Sequence, residues 1–175
     1  MKQHAPTAAG PVRLVWIGSG STLPYLAELV PALRQVEHVR LVTIADRTID
    51  SSAGLDVEHI PWSLETEASS LIRGDIGIAP TPDDRWTRGK CGFKIIQYMA
   101  AGLPVIASPV GANAEIVREG ETGLLATTPQ QWIDAILNLA ADAELRAIMG
   151  RAGRERVERE FSIARAAHAW TKLLS

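Results

Sequence analysis

The stretch VRLVWIGSGST, Val12 to Thr22, decides the fold. It opens as an almost continuous apolar run, the pattern of a strand buried on both faces, and closes in a turn of small residues. The chain that follows is helical in pattern. Leu26, Leu29, Val30 and Leu33 recur at i, i+3, i+4 and i+7, and Pro24 suits a first helical turn. A helix is expected from about Thr22 to Val36, with a kink or an early end at Pro31, because proline lacks the N–H an interior turn needs. Strand, small-residue turn and helix form the first half of a βαβ unit.

The same alternation continues outward. VRLVTIAD (Val39 to Asp46), DIGIAP (Asp75 to Pro80) and PVIAS (Pro104 to Ser108) read as further buried strands, with shorter ones around Val57 to Ile60 and in TGLLA, Thr122 to Ala126. Helices are expected over about Leu64 to Ile72, Gly92 to Ala101 and Ala112 to Glu119, the second stopped by Gly102 and Pro104. Thr128, Pro129 and Gln131 give the N-cap, the N1 proline and the capping-box residue of another helix, whose buried stripe is Ile133, Ile136, Leu137 and Ala140. Residues 142–160 carry five Arg and five acids, an evenly mixed solvated face, with Gly150 and Gly153 expected to weaken the helix. Ile163, Ala166, Ala167, Trp170 and Leu174 form the last apolar stripe. Residues 1–11 read as a flexible leader, and residues 12–175 as a single domain. Strands alternating with helices imply right-handed crossovers. The fold class is therefore α/β: a doubly wound, mainly parallel, Rossmann-like sheet in a three-layer α/β/α sandwich.

Composition narrows the function. The chain has 175 residues, 46% hydrophobic and 22% charged, which excludes a disordered polymer. A formal charge of -2 argues against a basic nucleic-acid binder. Cys91 is the single cysteine, so no disulfide scaffold exists, and without an evident paired histidine it reads as an incidental thiol. His4, His38, His59 and His168 are scattered, so no metal site is expected. No apolar run reaches the ~18 residues of a transmembrane helix, and MKQHAPTAAG lacks the apolar core of a signal peptide; a cytoplasmic location is expected.

Sheets of this class bind ligands beyond the carboxyl ends of their strands. Three loops fall there: GSGST, IPWS (Ile60 to Ser63) and APTPDDRWTRGKCG (Ala79 to Gly92). Gly18, Ser19, Gly20, Ser21 and Thr22 could bring backbone amides to an anion at a helix N-terminus. A dinucleotide fingerprint would need glycine at Leu23, although Asp46 ends the second strand as a ribose-binding acid would. A tight turn, a phosphate or sugar-nucleotide cradle and a dinucleotide site all remain open readings there. The third loop is richer: Arg85, Arg88, Lys90 and Lys94 place four cations in ten residues, around a helix that starts near Gly92. Such a cluster suits a diphosphate, with Lys as a compact charge and Arg as a bidentate fork. Trp62 in IPWS and Trp86 in the cationic loop could flank a ligand, whereas Trp16, Trp132 and Trp170 fall on core stripes. Glu115 reads equally as a ligand contact or as an exposed helical carboxylate.

QYMAAG (Gln97 to Gly102), PVIAS, Val110-Gly111, Glu115-Ile116-Val117 through Gly120, Gly123 and Leu125, and the downstream MGRAGRERVEREFS carry a resemblance. Together they resemble the donor-binding C-terminal half of retaining glycosyltransferases of family four (group 1), which have the two-domain GT-B fold. The resemblance implies transfer of a sugar from a nucleotide-diphosphate donor with retention of configuration, without a metal and without a cofactor. It implies donor-binding roles for Gly18, Ser19, Gly20, Ser21, Thr22, Trp62, Arg88, Lys90, Gly92, Phe93, Lys94 and Gln97, and it assigns no catalytic residue. It further implies a partner N-terminal acceptor half, absent from this chain, without which the domain is expected not to transfer. The last helix would then present part of its stripe to solvent or to a homodimer contact. Departures are plain: Gly89 and Gln97 stand where the family carries a pair of glutamates, and Ser19 to Thr22 where it carries an Arg and a Lys. These departures keep two alternatives open, a degenerate module that docks a partner protein and an NAD-type domain using GSGST and Asp46.

Overall fold

The computed structural model describes residues 10–49 and 54–174. The expected leader falls outside the described residues except for Gly10 and Pro11. Six strands form the sheet: β1 (Val12–Ile17), β2 (Val39–Ala45), β3 (Val57–Pro61), β4 (Ile76–Ala79), β5 (Val105–Ala107) and β6 (Gly123–Leu125). Their order is β3-β2-β1-β4-β5-β6, and every pair is parallel. Among the described residues seven α-helices accompany it: α1 (Leu23–Leu33), α2 (Glu67–Leu71), α3 (Phe93–Ala100), α4 (Asn113–Ile116), α5 (Pro129–Ala141), α6 (Ala143–Glu160) and α7 (Ile163–Leu174). This is the doubly wound, Rossmann-like α/β fold that the alternation predicts.

Side-chain alternation along each strand feeds two cores. On β1, Leu14 and Trp16 join Leu26, Leu33 and Ile136 under α1 and α5, while Val15 and Ile17 join Ile95, Tyr98 and Met99 under α3. A strand buried on both sides has no polar face to show, which is why VRLVWI reads as a continuous apolar run.

Several boundaries move for physical reasons. α1 contains Pro31 and ends at Leu33, short of Val36. α2 begins only at Glu67, because Ser63 and Thr66 bond side chain to side chain (2.9 Å) and hold the preceding residues in a turn. The loop after β4 is pinned by its own hydrogen bonds. Thr87, buried, donates through Oγ1 to the Pro82 carbonyl (2.6 Å), its N–H donates to Asp84 Oδ1 (2.8 Å), and a short 3-10 turn follows over Thr87–Gly89. Thr128 and Gln131 close the capping box of α5. Gly150 corrects an expectation. It is the point where α6 touches the turn after α3, since a Cβ there would stand 2.0 Å from the Gly102 carbonyl oxygen. Its missing side chain allows the packing instead of weakening the helix.

α7 overturns the reading of Trp170 as a core residue. Ile163, Trp170 and Leu174 are 88%, 65% and 82% exposed, so the stripe stands uncovered along the helix. Trp16 and Trp132 are buried as expected.

Candidate functional site

β1 and β4 are the two strands from which the chain winds in opposite directions. They pair only through Leu14↔Ile76 and Val15↔Gly77, then separate. Beyond that point lies a cleft of about 830 Å³. Tyr98 of α3 holds the separation at a fixed width. Its buried hydroxyl accepts from Ile17 N–H (2.9 Å) and donates to the Ile78 carbonyl (3.0 Å), and burial pushes the phenol pKa upward.

Two strand-to-helix turns face each other over this cleft. The first, Gly18 to Thr22, lies between β1 and α1. Ser19 N–H donates to Thr22 Oγ1 (3.3 Å), Gly20 N–H donates to Asp46 Oδ1 (2.6 Å), and the Ser19 and Ser21 hydroxyls bond each other (2.8 Å). Its polar groups are largely spent on one another. Gly18, Ser19 and Thr22 line the cleft, whereas Gly20 and Ser21 do not.

The second turn opens α3. Gly92 is its N-cap with φ +67°, a left-handed conformation that a side chain would strain. Among the described residues no side chain caps the helix, which leaves the first-turn amides of Phe93 and Lys94 uncapped beside the cleft that these residues line. Lys90 Nζ sits 4.8 Å from the Tyr25 ring centroid and Lys94 Nζ 4.7 Å from that of Trp16. Among the described residues neither ammonium has an ion-pair partner; aromatic faces carry them instead. Crowding drives the Lys94 pKa from 10.5 down to about 8, chiefly through burial of the ammonium and secondarily through repulsion from Lys90.

The other sequence candidates divide cleanly. Trp62, Lys90, Gly92, Phe93, Lys94 and Gln97 all line the cleft. Arg88 does not. Asp83 holds its guanidinium bidentately (2.6 and 3.0 Å) at the surface, which lowers the Asp83 pKa and raises that of Arg88. Trp86 is 75% exposed and lies outside the cleft, as does the exposed Glu115. Residues the sequence did not single out complete the lining: Tyr25, Glu67, Thr81, Thr87 and Asn113. Buried Asn113 is fixed by donating to the Ser108 carbonyl (3.1 Å). Glu67 bridges two elements, accepting from Trp62 Nε1–H (2.7 Å) and from Gln97 Nε2–H (2.6 Å). Among the described residues no cluster of His, Cys, Asp or Glu is arranged to hold a metal, and no helix is long and apolar enough to cross a membrane.

A parallel sheet in this order, with a cleft at the point where its winding reverses, defines a Rossmann-like domain. The chain belongs to a particular family of such domains, the group 1 glycosyl transferases, whose profile matches residues 5–142. The D-inositol 3-phosphate glycosyltransferase of Paenarthrobacter aurescens is 31% identical over 98 residues, which cover 54% of this chain and 23% of that protein. The match thus spans about a quarter of that relative's length. The C-terminal domain of the group 1 glycosyl transferase LpcC from Francisella tularensis superposes with a TM-score of 0.66 at 22% identity, covering 88% of both chains. HepE from Anabaena, solved in complex with UDP and glucose, superposes with a TM-score of 0.77 at 18% identity, covering 95% of this chain and 49% of that one.

Proposed function

We propose that this chain is the donor-binding half of a retaining, metal-independent glycosyltransferase and holds a nucleoside-diphosphate sugar in the switch-point cleft. The observation that carries this reading is the opening of α3: uncapped amides beside Lys90 and Lys94, both cations resting on aromatic rings and neither in a salt bridge among the described residues. A diphosphate would answer the charge of these two ammonium groups, neither of which forms a salt bridge among the described residues. Transfer breaks the bond between the sugar's anomeric carbon and the β-phosphate oxygen. Negative charge then grows on the departing diphosphate, where the lysines and amides are already placed. The acceptor oxygen forms the new bond on the same face and gives its proton to the leaving diphosphate.

The family's relatives support the reaction class, and the UDP complex of the Anabaena protein supports a nucleotide in this cleft. An N-terminal domain would bring the acceptor, and the uncovered α7 stripe offers apolar surface for that domain or for a homodimer contact. The enzyme would work in the cytoplasm. Alone, this chain would bind donor and transfer little.

Thermal-shift and NMR titrations with UDP, GDP, ADP and dTDP, with NAD as control, test the proposal. A selective response to one nucleoside diphosphate, lost in Lys94→Ala, is the expected result. Silence toward every nucleoside diphosphate at millimolar concentration, or a response to NAD alone, overturns it.

A further inference from the structure

Lys90 and Lys94 share one cleft, each rests on an aromatic ring, and neither forms a salt bridge among the described residues. The other charged groups that line the cleft are Asp46, after β2, and Glu67, on α2. Both carboxylates are already engaged, Asp46 with the Gly20 amide and Glu67 with Trp62 and Gln97. Two ammonium groups crowded in this way relieve each other when one gives up its proton. At Lys94 burial works in the same direction as the repulsion from Lys90, and the pKa falls to about 8. At pH 8 about half of the Lys94 side chains therefore carry a neutral amine, against roughly one in three hundred for an ordinary lysine. The neutral amine is a nucleophile and the ammonium is not.

The surroundings of Lys94 also select the electrophile. Lys90 brings a positive charge to the same cleft, and the amides of Phe93 and Lys94 at the helix opening are uncapped. A reagent that carries a phosphate finds a place for it there, within reach of the Lys94 amine. The ring of Trp16 lies against Lys94 Nζ, 4.7 Å from its centroid, and holds the amine at the cleft wall. An acyl phosphate joins the two features that this arrangement rewards, a dianionic phosphate and a reactive carbonyl carbon. A neutral acylating agent carries only the second.

We propose that Lys94 is a covalent modification site, at which small acyl phosphates acylate the cleft and close it to anionic ligands. The Lys94 nitrogen attacks the carbonyl carbon. A C–N bond forms, the bond from that carbon to the phosphate oxygen breaks, and the proton released by nitrogen leaves with the phosphate as hydrogen phosphate. The product is a neutral amide at the helix opening, with one of the two cleft cations gone. The closing effect rests on the proposed donor-binding function, whereas the acylation itself does not.

Timed incubation of the chain with acetyl phosphate at pH 8, read by peptide mass spectrometry, tests it. Lys2, Lys90, Lys94 and Lys172 are the lysines of the chain, so each site is followed separately. Lys94 is expected to acetylate at least about tenfold faster than Lys172, which is exposed on α7. Inorganic pyrophosphate should suppress the reaction at Lys94 and leave Lys172 unchanged. The neutral reagent N-hydroxysuccinimidyl acetate reads the amine alone, so the Lys94-to-Lys172 rate ratio should be larger with acetyl phosphate. Lys90→Met, checked for folding by circular dichroism, should bring the two ratios together. Equal rates at Lys94 and Lys172, faster reaction at Lys90, equal ratios for the two reagents in the unaltered chain, or no suppression by pyrophosphate overturns the inference. The acetylated chain should bind its nucleoside diphosphate about 30–100-fold more weakly, the loss of a charge-assisted contact. Undiminished binding overturns the closing effect. Selective acetylation of a chain that binds no nucleoside diphosphate overturns the donor-binding function and leaves the modification site standing. Nucleotide binding without selective acetylation does the reverse.

Discussion

The turn at Gly18–Thr22 and the turn at Lys90–Lys94 face each other across one cleft and treat their backbone amides in opposite ways. Each joins a strand end to a helix and each contains glycine. The first closes on itself: Thr22 and Asp46 take the amides of Ser19 and Gly20. The second leaves its amides uncapped and adds two ammonium groups poised on the rings of Tyr25 and Trp16. Glycine content therefore does not distinguish the two turns. What distinguishes them is which amides the protein has left unanswered and whether the nearby cations already have salt-bridge partners. Arg88 makes the same point from the other side, since its charge is answered by Asp83 at the surface.

The strongest way to break the comparison is to remove what holds both turns in place. Tyr98 bonds Ile17 at the foot of the first turn and Ile78 beneath the loop leading to the second. Tyr98→Phe leaves a buried N–H and a buried C=O unpaired, each costing roughly 1–3 kcal/mol. Loss of about 2–4 kcal/mol in urea denaturation is expected, with weaker nucleotide binding in the folded fraction. A change under about 0.5 kcal/mol would show that water replaces the phenol and that the width of the cleft is set elsewhere.

Next comes the charge of the second turn alone. Lys94→Met removes a cation that burial makes costly and that only an anion rewards. Nucleoside diphosphate affinity should fall about 30–100-fold, the value of a charge-assisted contact. The empty protein should become more stable, by on the order of 2 kcal/mol, because a desolvated ammonium is gone. A melt showing Lys94→Met to be less stable would mean that the ring of Trp16 already compensates the charge.

Much of the molecule was legible in the sequence, and the reasons are local. Buried parallel strands show as apolar runs, amphipathic helices as stripes, and ends as Gly102 or the Thr128–Gln131 box, because each signal is carried by residues near one another in the chain. That Lys90 and Lys94 gather at one helix start was legible for the same reason. Glu67 was not, since its meaning comes from Gln97, 30 positions away. Tyr98 reaches Ile17 across 81 positions, and no spacing rule predicts that. Gly150 looked like a helix weakness because only the packed structure brings the Gly102 carbonyl against it. Trp170 shows the converse limit: periodicity reveals that a face is apolar, not that anything covers it.

A smaller effect comes from pH. With Lys94 at about 8 in the folded chain against an ordinary 10.5, the unfolded state binds more protons between those values. The stability of the empty protein should therefore rise from pH 8 to 10.5 and, as far as this group is concerned, be flat below 8, where both states are protonated and the full cost of the buried ammonium applies. Nucleotide affinity should run the other way. It should hold below pH 8 and decline above it as Lys94 loses its proton, with proton uptake on binding near pH 9. Calorimetry in buffers of different ionisation enthalpy reads that uptake. A pH-independent affinity through this range would remove Lys94 from the anion site.

The smallest effect sharpens the contrast most, because it has a sign. Asp46→Ala frees the Gly20 amide and deletes a negative charge from the cleft wall. The first turn then becomes more like the second. It should lose about 1 kcal/mol of stability with the bond, while nucleoside diphosphate affinity rises about two- to threefold. The rise should shrink with added salt, since the Asp46 side chain is exposed and its field is screened. A fall in affinity instead would mean that Asp46 itself touches the ligand, and that the closed turn takes part in binding after all.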